Sequence, residues 1–230
     1  PLATELKSDK EETSDESLEK EISAIQISPK KPEVIEPQKS ATPAPKAPKY
    51  PTTAVEMYEW GMKYYQGDGV PQDYKEAVRW WLMAAEEGDA RAQYSLGICY
   101  KNGRGVEKNE KEAFRWCILA AEQGEPRAQY NLGVGYNFGI GVPKDYNEAV
   151  KWYRSAAQQR HPQAKGNLGV CYANGEGVVK DLEEAYFWFS LAEANGNKTA
   201  AENRALLEDK LTEEQKEKIK ERVQKWQLNR

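Results

Sequence analysis

Hydrophobic and polar positions recur with a period of 36 residues from about residue 54 onwards. In the first half of each period, apolar residues fall at i, i+4 and i+8, as at Ala92, Leu96 and Tyr100. In the second half, Ala and Trp lie three positions apart and an Ala-Ala pair follows, as after Ala113 and Trp116. Both spacings place the apolar residues on one face of an α-helix. The pattern therefore predicts four helix-turn-helix repeats, at residues 54–89, 90–125, 126–161 and 162–197.

Polar residues and glycines predict where the helices begin and end. The second helix of every repeat starts at an Asp or Asn followed three residues later by Glu, which is the spacing of a capping box. These caps are Asp73, Asn109, Asp145 and Asp181. A Gly-x-Gly-Val turn joins the two helices of each repeat, and a further glycine is expected to end the second helix. Two departures stand out: Arg160 replaces that final glycine in the third repeat, and Gly166 replaces a repeated tyrosine in the fourth.

The C-terminal part of the chain departs from the repeat. The pattern of residues 198–209 predicts one more helix of the first type without a full partner. We place the end of the repeat domain, which includes most of this partial unit, at residue 205, so that the domain covers residues 52–205. A charged stretch then places three apolar residues on one helical face. These residues are Ile219, Val223 and Trp226. We expect residues 206–230 to form a capping helix that covers the last repeat.

Residues 1–50 differ in composition from the rest of the chain. They hold seven of the twelve prolines, no glycine and one aromatic residue. Such a segment buries too little apolar surface to offset its ordering entropy, so we expect it to be a disordered tail or a tether. Because the sequence begins at Pro1, a membrane tether upstream of that residue stays open as one explanation of the tail.

Charge, hydropathy and cysteine content argue against three classes of protein: nucleic-acid-binding, membrane-spanning and disulfide-rich proteins. The chain has 33 basic and 37 acidic residues, and residues 1–50 hold 8 and 10 of them, so neither part is basic. A nucleic-acid-binding surface is therefore not expected. No apolar run approaches the ~20 residues of a membrane-spanning helix, so we expect no transmembrane segment. Three cysteines, an odd number, argue against a dense disulfide framework.

The chemically reactive residues do not form a recognisable catalytic or metal-binding pattern. His161 is the only histidine, no nucleophile motif accompanies it, and three scattered cysteines lack the spacing of a zinc site. The Gly-x-Gly-Val turn occurs four times at fixed spacing, which indicates a connector rather than a phosphate-binding loop. We interpret the four repeated tryptophans as packing residues: Trp80, Trp116, Trp152 and Trp188. We therefore predict no enzymatic activity and no cofactor.

The repeated residues resemble the Sel1-like repeat, a relative of the tetratricopeptide repeat. The match runs through Ala-x-x-x-Leu-Gly-x-x-Tyr-x-x-Gly-x-Gly-Val and then Asp/Asn-x-x-x-Ala-x-x-Trp with Ala-Ala, over about residues 54–205. The resemblance implies an all-α, right-handed solenoid acting as a non-catalytic scaffold that binds a protein or peptide. It also implies a periplasmic or secreted protein of a bacterial envelope, with the cytoplasm as the alternative. Two other functions stay open: a hydrolase of β-lactams or peptidoglycan, and a structural subunit of a secretion, motility or degradation complex.

The resemblance further implies which surface binds the partner. In tetratricopeptide-like scaffolds the first helices line a concave groove, and the groove positions lie just outside the apolar stripe. Tyrosine offers a large contact area at such positions and arginine offers forked hydrogen-bond donors. The predicted groove residues are Tyr58, Met62, Arg91, Tyr94, Ile98, Arg127, Tyr130, Val134 and Asn137.

Overall fold

The computed structural model describes residues 51–228, which contain ten α-helices and no β-strand. The helices are α1 (Ala54–Gln66), α2 (Tyr74–Glu86), α3 (Ala90–Asn102), α4 (Glu110–Glu122), α5 (Pro126–Phe138), α6 (Tyr146–Gln158), α7 (Pro162–Asn174), α8 (Leu182–Glu193), α9 (Lys198–Ala205) and α10 (Glu213–Leu228). Each helix up to α9 packs mainly on its neighbours in the chain, and α10 packs on α8. The all-α repeat solenoid is confirmed. The predicted tail, residues 1–50, lies outside the described residues.

The glycine of each Leu-Gly pair brings the first helix of a repeat against the second. A Cβ atom at Gly133 would lie 2.6 Å from the ring of Tyr153, and one at Gly169 would lie 2.6 Å from the ring of Phe189. Both rings are fully buried. In the second repeat Cys117 occupies the position of these rings. There a Cβ atom at Gly97 would instead meet the backbone of α4, with the Ala113 carbonyl oxygen 3.1 Å away. The absence of a side chain at this position therefore sets how closely the helices of a repeat approach.

The Gly-x-Gly-Val turn also joins one repeat to the preceding one. Its second glycine has a positive φ, +75° at Gly105 and +70° at Gly177, which favours glycine over other residues. A Cβ atom at these positions would lie 2.2 Å from the Tyr74 carbonyl oxygen and 2.1 Å from that of Tyr146. Both carbonyls belong to the start of the preceding repeat's second helix. The turn is therefore a packing contact between repeats, as its fixed spacing indicates.

The repeated tryptophans pack as predicted. Trp116 and Trp188 are 3% and 8% exposed, and Trp80 and Trp152 are half-buried. The indole N–H of each of the four is buried and lacks a hydrogen-bond partner. An unsatisfied buried donor weakens the stabilisation that the ring provides, because the group has lost its bond to water.

The predicted caps form, but the expected capping boxes form only in part. The Asp73 side chain accepts hydrogen bonds from the Lys75 and Glu76 backbone N–H groups. Asp145 and Asp181 also accept from two backbone N–H groups each, and Asn109 accepts from that of Glu112. The glutamates three residues later do not return to the cap. Those of the first three repeats form i,i+3 ion pairs instead, as Glu76 does with Arg79 at 3.5 Å, and Glu184 of the fourth pairs with Arg222 of α10. A reciprocal capping box is present at the start of α1.

The first helix closes the N-terminal end of the solenoid. The positions that are fully buried in later repeats at Ala92 and Leu96 hold Glu56 and Trp60 in α1, which is the first helix of the described residues. Trp60 packs against Trp80 with ring centroids 6.1 Å apart. Polar and amphipathic residues therefore replace small apolar ones where the stack meets solvent.

The helix that follows the fourth repeat is shorter than predicted. Helix α9 ends at Ala205 rather than continuing to residue 209, and a 3₁₀ turn follows at Glu208–Lys210. This turn places Leu207 and Leu211 in the core, at 0% and 9% exposure. The predicted α10 stripe is confirmed, since Ile219 is 1% exposed and Val223 and Trp226 pack against the same core.

Candidate functional site

A ladder of three tyrosines runs along the first helices, and each ring is covered by a side chain from the start of the next first helix. The guanidinium carbon of Arg91 lies 4.4 Å from the Tyr58 ring centroid, and that of Arg127 lies 4.7 Å from the Tyr94 centroid. These are cation–π distances. We call Tyr58, Tyr94 and Tyr130 the tyrosine ladder.

The third step of the ladder differs from the first two. His161 stacks on Tyr130 with ring centroids 4.6 Å apart and planes 18° from parallel. Gln163 occupies the position that Arg91 and Arg127 hold in earlier repeats, and Gly166 occupies the position of the next tyrosine. The ladder therefore ends at the junction of the third and fourth repeats.

A cleft of about 630 Å³ opens where the ladder ends. The N-terminal ends of α5, α7 and α9 surround it, because successive first helices begin side by side on one face of the solenoid. Two rings of the ladder, one guanidinium and several amide groups line it. The side chains that shape it are Tyr94, Arg127, Tyr130, Asn131, Gln163 and Asn197.

Arg127 is the charged group of the cleft wall. Its Nε donates to a Glu125 carboxylate oxygen at 2.8 Å, and the Tyr58 hydroxyl is a further hydrogen-bond partner of its side chain. Arg91, one repeat earlier, instead donates through Nε and Nη2 to both oxygens of Asp89, at 3.2 and 2.6 Å. A guanidinium has five N–H donors, so Arg127 keeps donors for a ligand that enters the cleft.

His161 is a neutral structural residue at this wall. Its Nδ1 accepts the Ala164 backbone N–H at 3.4 Å as the N-cap of α7, which assigns the ring proton to Nε2. Burial, aided by the positive charge of Arg127, lowers the pKa of His161 to about 4. The ring therefore contributes shape and hydrogen bonding to the cleft at neutral pH, but no charge.

In the second and third repeats, a side-chain hydrogen bond joins the two helices of the repeat. Gln123 donates to the buried Gln93 at 2.7 Å, and Gln159 donates to the buried Gln129 at 2.9 Å, so that these pairs form a row along the solenoid. In the fourth repeat the equivalent pair is Lys165, which donates to the cleft residue Asn195 at 2.6 Å.

Lys165 couples this row to the C-terminal helix. Its side chain is 1% exposed, and its Nζ lies 4.5 Å from the Trp226 ring centroid. Arg160 approaches the same ring at 5.0 Å. Burial lowers the pKa of Lys165 to about 8. Helix α10 therefore helps to fix Asn195 at the rim of the cleft.

Three of the nine predicted groove residues line the cleft. Tyr94, Arg127 and Tyr130 line the cleft, although Tyr130 is 8% exposed and presents only an edge. Tyr58 and Arg91 form the first step of the ladder, away from the cleft. The other four pack or lie half-buried elsewhere along the first helices: Met62, Ile98, Val134 and Asn137. Asn137 is buried, and its side-chain oxygen has no hydrogen-bond partner.

Sequence reasoning missed most of the cleft's polar residues. Asn131 and the loop residues Asn195 and Asn197 line it, and none of these was among the predicted groove positions. The available signal was Gly166, which breaks the repeated tyrosine and so marks the repeat at which the ladder ends.

The thiols show no sign of activation. Burial raises the pKa of Cys99 to about 11, and of Cys117 and Cys171 to about 12. These thiols are protonated at neutral pH and so are poor nucleophiles. Within residues 51–228, no group of three or more His, Cys, Asp or Glu side chains is placed to hold a metal ion. None of the helices in that range is long and apolar enough to cross a membrane.

The repeat matches a known family over most of the described chain. Four consecutive matches to the Sel1 repeat fall at residues 57–89, 90–125, 126–161 and 162–197. The chain belongs to the Sel1 repeat family. Its repeat boundaries coincide with the helix pairs from α1–α2 to α7–α8, and proteins of this fold are commonly scaffolds for protein interactions.

Two solved Sel1-type structures are similar to this protein. A Sel1 repeat protein from Oxalobacter formigenes aligns with a TM-score of 0.60 and 37% sequence identity over 64% of this chain. The c5321 protein, a protective antigen present in uropathogenic Escherichia coli strains and displaying an SLR fold, aligns with a TM-score of 0.61 and 40% identity over 64% of this chain. This chain spans 60% and 32% of the lengths of those two chains, respectively.

Proposed function

We propose that this Sel1 repeat protein is a non-catalytic scaffold that binds an extended segment of a partner protein in the cleft formed by α5, α7 and α9. One observation carries the proposal: the tyrosine ladder ends at Gly166, and a polar cleft opens there. In the first two steps of the ladder an arginine covers the ring, and in the third step the neutral ring of His161 does.

The chemistry of the cleft suits a peptide backbone. Side-chain amides both donate and accept hydrogen bonds, and so match the alternating N–H and C=O groups of an extended chain. Asn131 and Gln163 supply such amides, and the edges of Tyr94 and Tyr130 supply apolar contact. The volume of about 630 Å³ lies within the range of ligand sites in proteins.

A hydrolytic function receives no support from the described residues. The only histidine holds a backbone N–H through Nδ1 and stacks on Tyr130, and its ring is neutral. The three thiols are protonated. A general base paired with a nucleophile is what such chemistry needs.

The proposed setting is the bacterial envelope or the extracellular space. The E. coli relative with 40% identity is a protective antigen, which supports a location that host antibodies reach. Immunoblotting of fractionated cells that express the complete gene tests this proposal. Recovery of the protein only with the cytoplasmic fraction would contradict it.

Peptide selection tests the binding proposal. A phage-displayed library of random twelve-residue peptides is panned on the full chain, and the selected peptides are titrated by fluorescence anisotropy. Arg127→Ala and Asn131→Ala should each weaken binding, by 10-fold or more for Arg127→Ala, since truncating a binding hot spot costs roughly 2 kcal/mol or more.

The matched control is Arg79→Ala. Arg79 is also an exposed, ion-paired arginine, but it lies on α2 away from the cleft. This variant should bind as the unmodified protein does. Equal losses in the Arg79 and Arg127 variants, or unchanged binding in both, would place the site elsewhere.

A further inference from the structure

The chain contains a strongly acidic run outside the described residues. Residues 11–21 read EETSDESLEKE, with six carboxylates and one lysine. The run contains no proline, so every residue keeps a backbone N–H to donate. It is therefore an acidic peptide in which every residue offers a backbone N–H and a carbonyl oxygen for hydrogen bonding.

The cleft has the opposite charge. Among the described residues that line it, Arg127 alone is charged at neutral pH, because His161 is neutral. Behind the rim, the ammonium group of Lys165 lies against Asn195. Arg127 is ion-paired with Glu125 through Nε at 2.8 Å and keeps its other N–H donors, so the cleft presents a guanidinium in a chain whose net charge is −4.

The acidic run is long enough to reach the cleft. Residues 22–50 separate it from the start of the solenoid, and 29 residues extend to ~90 Å at ~3.1 Å per residue. Neighbouring packed helices lie roughly 10 Å apart, so the three repeat steps from α1 to α7 span a few tens of ångströms. A segment tethered in this way is present at an effective concentration on the order of millimolar.

We propose that residues 11–21 of the same chain occupy the cleft, with a carboxylate on Arg127 and the backbone on the cleft amides. This inference rests on the proposed function, since it takes the cleft to be a peptide site. The segment is then a competitor that an outside partner must displace, and the scaffold is autoinhibited by its own N-terminal segment.

Site-specific crosslinking of the full chain tests the proposal. The photoreactive residue p-benzoylphenylalanine replaces Gln163, which is exposed at the cleft. After irradiation at low protein concentration, mass spectrometry should locate the adduct within residues 11–21 of the same molecule. The same residue placed at Arg79 on α2 is the control and should give no such adduct.

Charge variants then test the recognition. Arg127→Gln, or the combined change Glu11→Gln, Glu12→Gln, Asp15→Asn and Glu16→Gln, should reduce the adduct at least fivefold. Raising NaCl from 0.05 to 0.5 M should do the same, because exposed charge pairs are screened. An adduct outside residues 11–21, an adduct joining two copies of the chain, or one that survives both charge changes overturns the proposal.

A competition experiment separates this inference from the proposed function. The probe is a fluorescein-labelled twelve-residue peptide selected by panning. Its apparent dissociation constant should fall at least fivefold in the chain with the neutralised acidic run, because the internal competitor is weakened. If the probe binds both chains equally and Arg127→Ala still weakens it, autoinhibition is wrong but the binding function stands.

Discussion

The glycine that separates the two helices of a repeat provides a quantitative test of the packing. Gly133→Ala would place a Cβ atom 2.6 and 2.7 Å from two ring carbons of Tyr153, which is 0% exposed and cannot swing into solvent. Overpacking of this kind costs roughly 1–3 kcal/mol. Replacing glycine by alanine within a helix returns about 1 kcal/mol. Because the ring cannot move away, the overpacking cost lies in the upper part of its range, about 2–3 kcal/mol, and the expected net destabilisation is about 1–2 kcal/mol.

The second repeat supplies the matched control. At Gly97 the same substitution meets nothing closer than the Ala113 carbonyl oxygen at 3.1 Å, because Cys117 replaces the aromatic ring. A small shift relieves this contact, so Gly97→Ala should be close to neutral. In thermal melts followed by circular dichroism, Gly133→Ala should lower Tm by roughly 2–8 °C, since each kcal/mol shifts Tm by about 2–4 °C at this size.

A double-mutant cycle identifies the cause. Tyr153→Cys reproduces the second repeat, and the cost of Gly133→Ala should be at least 1 kcal/mol smaller in that background, because residues in contact couple. If Gly97→Ala destabilises as much as Gly133→Ala, or if the two changes at Gly133 and Tyr153 are additive, the ring contact does not set the helix spacing.

Three further predictions concern single residues. Arg160 is the non-glycine residue with a positive φ (68°) within residues 51–228. Since only glycine removes this backbone strain, the free energy of unfolding of Arg160→Gly should exceed that of Arg160→Ala by ~1 kcal/mol, and its melting temperature should be higher. Equal melting temperatures would contradict this. The pKa of His161 is lowered to about 4 from 6.5, so the unfolded chain binds its proton more tightly and stability should fall as pH drops from 6.5 towards 4. His161→Asn should flatten that part of a Tm-against-pH curve, and an unchanged slope would refute the assignment. Trp116→Ala should lower the free energy of unfolding by roughly 3–5 kcal/mol in a denaturant melt. Trp116→Phe should lower it markedly less, because this change also removes an unsatisfied indole N–H. Equal losses would show that the unsatisfied N–H does not destabilise the fold.

The regular part of the fold could be predicted from the sequence, because repeated residues have repeated physical roles. Leu96, Leu132 and Leu168, which lie 36 residues apart, are 0–1% exposed, and the cap at Asp73 accepts the expected N–H groups. The positive φ of Arg160 also follows from its place in the repeat. The periodicity predicts these features because equivalent residues of successive repeats pack against equivalent neighbours.

The candidate site could be predicted only in part, because it lies where the repeat fails. The sequence pointed to Tyr94, Arg127 and Tyr130, but it contained no signal that arginines would cover the ring faces of Tyr58 and Tyr94. That arrangement depends on side-chain contacts between repeats. The α9 boundary was missed for a similar reason, since burial of Leu207 and Leu211 outweighs the local helical pattern.

Hydrogen–deuterium exchange on the full chain, with and without a panned peptide, tests the central claim most directly. Binding in the cleft should slow amide exchange in the first turns of α5, α7 and α9 and around Asn131, because those segments surround the cleft. The second helices α2 and α4 should exchange as before. Protection confined to those second helices, or to the Gly-x-Gly-Val turns, would contradict the assignment of the cleft as the peptide-binding site.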